Sequence, residues 1–190
     1  TGDVMGNRDV SHQDFRRACS LFATGVTVVT TAQDGLRLGL TVNSFASLSL
    51  DPPLVLWSLR EASTAKPVFA QAGRFCINVL AHDQAELANR FAGRVEGDPF
   101  AGLSVEGAAE EPPRLSGALA HIDCQTAEIL PQGDHSIFIG RVRDISHRDG
   151  APTAMADHSN PLINTPLHHS VEQGHDNTSA ASSDGMTEGY

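Results

Sequence analysis

Cysteine is scarce in this sequence, and its spacing suits neither a disulfide framework nor a zinc site. The 190 residues contain three cysteines, Cys19, Cys76 and Cys124, which are odd in number, far apart and without a CxxC pair. Disulfide scaffolds and zinc sites need pairs of cysteines at short or matched spacings. We therefore expect three buried, reduced thiols.

Long apolar runs and basic clusters are also missing. No stretch approaches the roughly 18 to 20 apolar residues of a membrane span, and residues 1–10 carry no apolar signal-peptide core. The 13 Lys and Arg residues are scattered and the formal net charge is −10. We therefore expect no nucleic-acid or membrane partner, and a single packed domain in the cytoplasm.

The most informative stretch present, residues 39–53, is rich in neutral polar side chains and ends at Asp51-Pro52-Pro53. Its hydroxyl and amide residues are Thr41, Asn43, Ser44, Ser47 and Ser49. Such a density of neutral donors suits a ligand held by many directed hydrogen bonds, such as a phosphorylated heterocycle. The alternative is a loop whose short side chains bond their own backbone. We call this stretch the polar cradle and expect it not to be an ordinary strand.

Most of the remaining chain is predicted to be extended. The runs rich in β-branched and apolar residues are 25–31, 36–40, 54–59, 75–80, 118–130 and 135–146. Asp34-Gly35 predicts a tight turn between the first two runs, and residues 131–134 predict a hairpin between the last two. Short strands with few helices indicate a closed β-barrel.

Three short helices and one long surface loop complete the prediction. The first helix is expected to end at Gly25 and to cover an end of the barrel. The loop covers residues 93–113, where periodicity disappears. The residues predicted to begin the helices are Ser11 with Asp14, Ser63 or Thr64 with Pro67, and Asp83 with Glu86.

Three segments together resemble one known family. They are TVNSFASLSLDPPLV at residues 41–55, the pair Asn78-Val79-Leu80 and Arg90-Phe91-Ala92, and Gly133-Asp134-His135 before a strand. This pattern resembles the flavin reductase-like family, the small reductase components of two-component flavin monooxygenases. The resemblance runs from about Phe15 to Pro152. It implies a mainly β, FMN-binding split barrel of Greek-key type with a few peripheral helices, occupying residues 1–152.

The resemblance also implies the site. The residues it places around the isoalloxazine ring are Val28, Val29, Thr30, Thr41, Asn43 and Ser44. Asn78 belongs to a strand that would border the flavin. Ser47 and Ser49, with Arg90 as the cation, would hold the phosphate. His135 would lie beside the flavin and place the nicotinamide, the alternative being that it caps the hairpin turn. Hydride transfer from nicotinamide C4 to flavin N5 needs positioning more than acid or base catalysis.

The implied function is an NAD(P)H:flavin oxidoreductase that supplies reduced FMN or FAD to a partner monooxygenase. A flavin-retaining oxidase of the pyridoxamine phosphate oxidase type and a non-catalytic flavin- or haem-binding barrel are the alternatives. The absence of G-x-G-x-x-G and Walker loops agrees with weak nicotinamide binding, with NADH preferred and NADPH as the alternative. We expect a homodimer with contact through residues 26–29 and 54–59.

Residues 153–190 depart from the family pattern. They contain no Lys or Arg and are biased toward polar residues, which is typical of disorder or a linker. Their histidines are His158, His168, His169 and His175. Without cysteine or a repeated short spacing they do not predict a metal site.

Overall fold

Antiparallel strands form most of the structure, a computed structural model that describes residues 10–94 and 97–155. The helices are α1 His12–Ser20, α2 Lys66–Ala72 and α3 Ala85–Asn89, the last followed by a π-helical turn at Arg90–Arg94. The strands are β1 Thr24–Gly25, β2 Thr27–Gln33, β3 Leu36–Val42, β4 Ala46–Leu50, β5 Pro53–Arg60, β6 Arg74–Val79, β7 Val105–Glu106, β8 Arg114–Leu115, β9 Ala120–Gln132, β10 His135–His147 and β11 Ala154–Met155.

Seven strands form the main sheet in the order β3-β2-β6-β9-β10-β5-β4. The chain passes from β3 to β4 through residues 43–45, yet within the described residues these two strands do not pair and lie at opposite ends of the ladder. The expected closed barrel is therefore wrong, and the split barrel is confirmed. The polar cradle proves to be the end of β3, a short connector and β4, so regular strands occupy most of it after all. Its alternating apolar and hydroxyl residues can form an edge strand, and β4 carries a bulge between Ser47 and Ser49.

Local signals predicted the hairpins well. Asp34 and Gly35 both have positive φ, 52° and 77°, as a two-residue turn between twisted strands requires. The last predicted hairpin is present as β9 and β10, paired from His135 opposite Gln132 to His147 opposite Ala120. The long loop is present too, and β7 within it pairs with β8, which begins just after the predicted end of the loop at residue 113.

Helix starts were predicted less well. The Ser11 hydroxyl accepts from the Asp14 N–H at 3.0 Å and begins α1 as expected. The caps of α2 and α3 are Ala65 and Gln84, neither with a side-chain capping bond, so both other cap predictions are wrong. Gln84 instead bonds the Ala81 N–H and the Ser116 carbonyl, which tie the loop before α3 to the segment after β8.

Helix α1 also fails the expectation that it covers the barrel. It ends at Ser20 and buries none of its residues. Phe15 is 62% exposed, and Phe22, just beyond the helix, is 78% exposed. The apolar residues of this segment therefore lack a partner surface among the residues that the structure describes.

The main core is an aromatic cluster between the sheet and α2. Trp57 stacks on Phe138 with ring centroids 4.6 Å apart, and Phe69 and Phe75 meet Trp57 edge-on at 5.0 and 5.7 Å. A second cluster packs α3 and the π-helical turn against β2 through Val28, Leu80 and Phe91, among others. Together they bury the strands that carry the site.

The cysteines are free, as predicted, but only two are buried. Burial raises the pKa of the Cys124 thiol to about 12 and raises that of Cys76 further. Cys19 is exposed, because α1 packs no face against the sheet. The expectation of three buried thiols is therefore wrong for Cys19.

Pairing continues beyond the expected end of the domain. β11 pairs with β1, and the Thr153 N–H donates to the Leu80 carbonyl at 2.9 Å. The paired chain thus extends at least through Met155, past the predicted boundary at residue 152. The four histidines of the tail lie outside the described residues. In residues 10–94 and 97–155, no helix has the length and apolarity needed to cross a membrane.

Gly140 tests the packing of the aromatic cluster. A Cβ at this position of β10 would overlap the Phe75 ring and lie 2.9 Å from Cys124 Cβ. We expect Gly140→Ala to destabilise the fold by about 1 to 3 kcal/mol, which corresponds to about 2 to 12 °C in melting temperature. Gly25→Ala is the matched control, since a Cβ there meets nothing within 4 Å. Equal thermal midpoints for the two variants would contradict this packing.

Candidate functional site

A groove of about 620 Å³ lies where α1, β5 and the β9–β10 turn meet. Its volume is in the range of small-molecule and cofactor sites. The residues lining it are His12, Phe15, Arg16, Ser58, Arg60, Asp134 and His135. It combines two guanidinium groups and two imidazoles with one carboxylate and one aromatic ring.

The alternation of side chains along β5 places Ser58 and Arg60 in the wall of this groove. Along β5, Val55, Trp57 and Leu59 are buried, whereas the residues between them are half-buried on the other face. Ser58 and Arg60 share that second face because they are two residues apart. In the ladder to β10, Arg60 lies opposite His135.

His135 is the one predicted catalytic residue, and the structure places it in the groove. Its side chain is 24% exposed, and Nδ1 lies 2.8 Å from Asp134 Oδ1. The hydrogen bond from His135 lowers the pKa of the Asp134 carboxyl below its ordinary value, and the charge of Arg60 acts in the same direction. Because Nδ1 is engaged by Asp134, the other ring nitrogen remains for a ligand.

Ser44 connects the polar cradle to the groove, and Asn43 precedes it in the same connector. The Ser44 hydroxyl accepts from the Ser58 N–H at 2.9 Å, so the β3–β4 connector is fixed to a strand that lines the groove. The Oδ1 atom of Asn43 is buried and has no hydrogen-bond partner among the described residues. Such an unpaired oxygen can accept a hydrogen bond from a donor group of a ligand.

Five other predicted cofactor contacts lie in the core: Val28, Val29, Thr30, Thr41 and Asn78. Asn78 donates to the Val28 carbonyl and to Thr30 Oγ1, at 3.0 and 3.1 Å, and accepts from the Leu115 N–H at 2.7 Å. The Thr41 hydroxyl donates to the Ala88 carbonyl at 2.6 Å. These polar groups are satisfied inside the fold, so the burial of the five side chains does not support their predicted contact with flavin.

The three predicted phosphate ligands lie on two elements, β4 and the π-helical turn, and their shared role stays a prediction. Ser47 is exposed and Ser49 half-buried on the edge strand β4. Arg90 donates to the Ala101 carbonyl, on the side of the chain where the π-helical turn packs on β3. Between described residues, no hydrogen bond or ion pair joins Arg90 to either serine.

Sequence reasoning missed His12, Arg16 and Arg60. For Arg60 the sequence holds a signal, because the period-two spacing along β5 puts it on the same face of the strand as Ser58. For His12 and Arg16 no local signal exists, because their approach to the groove depends on where α1 lies. Arg16 and Arg60 add positive charge in a chain of net charge −10.

A second cavity of about 530 Å³ lies beside the start of β6 and the middle of β9 and β10. Arg114 stands in its wall and pairs with Asp123 and, at 2.6 Å, with Asp144. From His135 to Asp144 the strand runs nine residues, about 30 Å at 3.3 Å per residue. The cavity is therefore separate from the groove, and Arg114, Asp123 and Asp144 in its wall are paired with each other. No cluster of three metal-ligating side chains occurs in the part of the chain that the structure describes.

Comparison with known sequences settles the family. The sequence model described as flavin reductase like domain matches residues 19–168. The chain belongs to this family. The match continues past Pro152, where the resemblance was expected to stop, while the end of the domain itself stays a prediction.

Flavin reductase-like relatives cover most of the chain. FMN reductase (NADH) SmoA of Agrobacterium fabrum is 46% identical over 140 residues, which is 74% of this chain and 79% of the relative. The reductase subunit HsaB of a flavin-dependent monooxygenase from Rhodococcus jostii is 40% identical over 147 residues, 77% of this chain and 75% of the relative. The solved structure of NADH:FAD oxidoreductase SgcE6 from Streptomyces globisporus C-1027 has a TM-score of 0.71 and 30% identity, covering 82% of this chain and 88% of that chain.

The groove residues fit the flavin that the family name implies. Guanidinium groups are suited to phosphate, and Arg16 and Arg60 supply two. The orphaned Asn43 Oδ1 is suited to a ring N–H donor such as the imide of a flavin. Arg16, Arg60 and Asn43 are thus the residues that would hold it.

The Asp134–His135 contact gives a prediction that needs no ligand. Removing the ring in His135→Ala should raise the pKa of Asp134 toward its ordinary value, measured by carboxyl-carbon NMR. An acid whose pKa is lowered by folding stabilises the fold above its unfolded pKa, and this contribution is lost as pH falls through the folded pKa. The free energy of unfolding of the variant should therefore fall below that of the wild type at pH values above the unfolded pKa of Asp134. At pH values below the folded pKa of Asp134 the two should be equal. Asp144, whose pKa is lowered by Arg114, is the internal control and should not change. A constant Asp134 pKa would contradict the contact.

Proposed function

We propose that this chain is an NAD(P)H-dependent flavin reductase that transfers hydride to FMN or FAD and supplies the reduced flavin to a partner monooxygenase. The single observation that carries the proposal is the position of His135 in a groove lined by Arg16 and Arg60. The relatives support it, since their names include an NADH-dependent FMN reductase and the reductase subunit of a flavin-dependent monooxygenase.

The work of the chain's own residues is to bind and orient. Bound flavin supplies the redox chemistry, since its ring can accept hydride from a nicotinamide stacked against it. Arg16 and Arg60 attract phosphate groups, and Asn43 accepts a hydrogen bond from the ligand. His135, oriented by Asp134, places the nicotinamide. No side-chain acid, base or nucleophile is required.

NADH is the proposed donor, and both flavins are proposed as acceptors. One relative is named as an FMN reductase using NADH and one structural neighbour as an NADH:FAD oxidoreductase. A steady-state assay that crosses FMN and FAD with NADH and NADPH tests these choices. Purified protein that is pale and oxidises NADH only after flavin is added separates a reductase from a flavin-retaining oxidase and from a storage barrel. We place the enzyme in the cytoplasm, where free cysteines remain reduced.

We also propose that the working unit is a homodimer. The originally expected contact through residues 26–29 is wrong, because Val26, Val28 and Val29 are buried within the chain. Most of the exposed large apolar residues lie in two other places: Val10, Phe15, Leu21 and Phe22 in and around α1, and Leu48 and Leu50 in β4. Leu36 and Ile145 are exposed singly. Helix α1 buries none of its residues against the described part of the chain, and another surface is needed to cover its apolar side. Because Phe15 also lines the groove, a second subunit would complete the site.

Kinetics of His135→Ala test the function directly. If the ring places the nicotinamide, its loss should lower kcat/KM for NADH by about 3- to 150-fold, the equivalent of a lost hydrogen bond of about 0.5 to 3 kcal/mol. Flavin affinity should change little. Stopped-flow NADH oxidation, flavin fluorescence quenching and thermal midpoint are measured on one preparation. A turn-capping role would instead lower the midpoint, with both ligand functions reduced in proportion to the folded fraction.

Light scattering tests the dimer. The wild-type chain of 20.1 kDa should give about twice that mass. Phe22→Ser should shift the protein toward monomer and reduce NADH oxidation with it, because polar serine weakens the apolar contact. Leu36→Ser is the matched control, since Leu36 is also exposed but lies on the β2–β3 hairpin. A stable, fully active wild-type monomer would rule out the proposed assembly.

A further inference from the structure

Glu61 holds the two neighbours of His135 in the chain. Its backbone N–H donates to the Asp134 carbonyl at 2.9 Å. Its carboxylate accepts the Ser136 hydroxyl through one oxygen and pairs with Lys66 through the other. Glu61, which follows β5, thus forms hydrogen bonds to the residues on both sides of His135 in the chain.

The Ser136 contact is strong for physical reasons. Ser136 is fully buried, so its hydroxyl cannot exchange the carboxylate for water. Hydrogen bonds to an ionised acceptor are stronger than those between neutral groups. Hydrogen bonds from Lys66 and then Ser136 lower the pKa of Glu61, which keeps its carboxylate ionised at neutral pH.

The His135 ring itself has little else to fix it. Among the described residues, the one side chain that hydrogen-bonds the ring is Asp134, which is 83% exposed. The direction of the ring therefore depends on the main chain of residues 134–136. Glu61 fixes that main chain, although it is not among the residues that line the groove.

We propose that Glu61 is a positioning residue that sets the orientation of His135 for nicotinamide by holding Asp134 and Ser136. This inference rests on the proposed reductase function. It assigns a role in that reaction to a side chain that does not line the groove. Hydride transfer falls steeply when the reacting groups are displaced, so a loosened turn should reduce use of NADH before it affects the fold.

Glu61→Ala and Ser136→Ala are the test variants. Each should lower kcat/KM for NADH about 3- to 30-fold, while the flavin dissociation constant stays within about twofold. In each the Asp134 pKa, read by carboxyl NMR without ligand, should rise because the Asp134–His135 contact loosens. Glu128→Ala is the matched control, an exposed glutamate on β9 of the same hairpin, and should match the wild type in both readouts.

Two further variants separate positioning from loss of structure. Glu61→Gln keeps an acceptor for the Ser136 hydroxyl and should recover most of the lost efficiency. The double variant Glu61→Ala/Ser136→Ala should be no worse than Glu61→Ala alone, because the Ser136 bond is already lost in that variant. Ser136→Ala, the smallest change, keeps the test decisive if Glu61→Ala fails to fold.

The outcomes are distinct. Folded Glu61→Ala and Ser136→Ala with wild-type NADH kinetics overturn the proposal. So does a parallel loss of NADH use, flavin affinity and thermal midpoint, since that pattern is structural. If the wild-type protein oxidises no NADH with either flavin, the proposed function fails, and the Asp134 titration still reports whether Glu61 fixes the turn.

Discussion

The stacking of Trp57 on Phe138 is the contact on which the site depends. The two rings stand opposite each other in the β5–β10 ladder with centroids 4.6 Å apart, and Gly140 leaves room beside them for Phe75. A slip of one residue would turn every side chain of β5 to the other face of the sheet. Because the aromatic residues fix this register, Arg60 lies opposite His135 and Ser58 reaches both the groove and the Ser44 connector.

The groove lies on the face of β5 that the core does not cover, next to the connector between the edge strands β3 and β4. The core side of β5 is buried, whereas its other face, the β9–β10 turn and α1 remain at the surface. The split between β3 and β4 leaves a short connector, and its Asn43 Oδ1 has no partner among the described residues. A closed barrel would pair those edges and satisfy such groups internally. Incomplete pairing thus supplies both the acceptor and the open face that a ligand needs.

Sequence predicted the elements better than the contacts between them. β-branched runs and the Asp34-Gly35 turn are local signals, and the strands they predicted are present. The cap predictions at Asp83 and Ser63 failed because tertiary contacts, such as those of Gln84, determine where those helices begin. The polar residues of the polar cradle cannot be told apart by sequence pattern. In the structure the Thr41 hydroxyl donates to the Ala88 carbonyl, and the Ser44 hydroxyl accepts from the Ser58 N–H and so fixes the connector. Which hydroxyl serves the fold and which faces a ligand depends on the partner strand, and no local pattern encodes it.

The contrast between polar groups that are bonded inside the protein and those that face the groove affects how tightly flavin is bound. The buried donors that could have gripped a prosthetic group, Thr30, Thr41 and Asn78, are all satisfied by the protein itself. The groove instead offers long guanidinium side chains and a partly exposed imidazole, and such side chains lose conformational entropy when a ligand orders them. Binding by such groups is weaker and more easily reversed than binding in a buried, prearranged pocket. An enzyme that must release reduced flavin to a second protein needs that reversibility, whereas an oxidase that retains its flavin gains from burial. The architecture therefore favours exchange of flavin as a substrate over its retention as a prosthetic group.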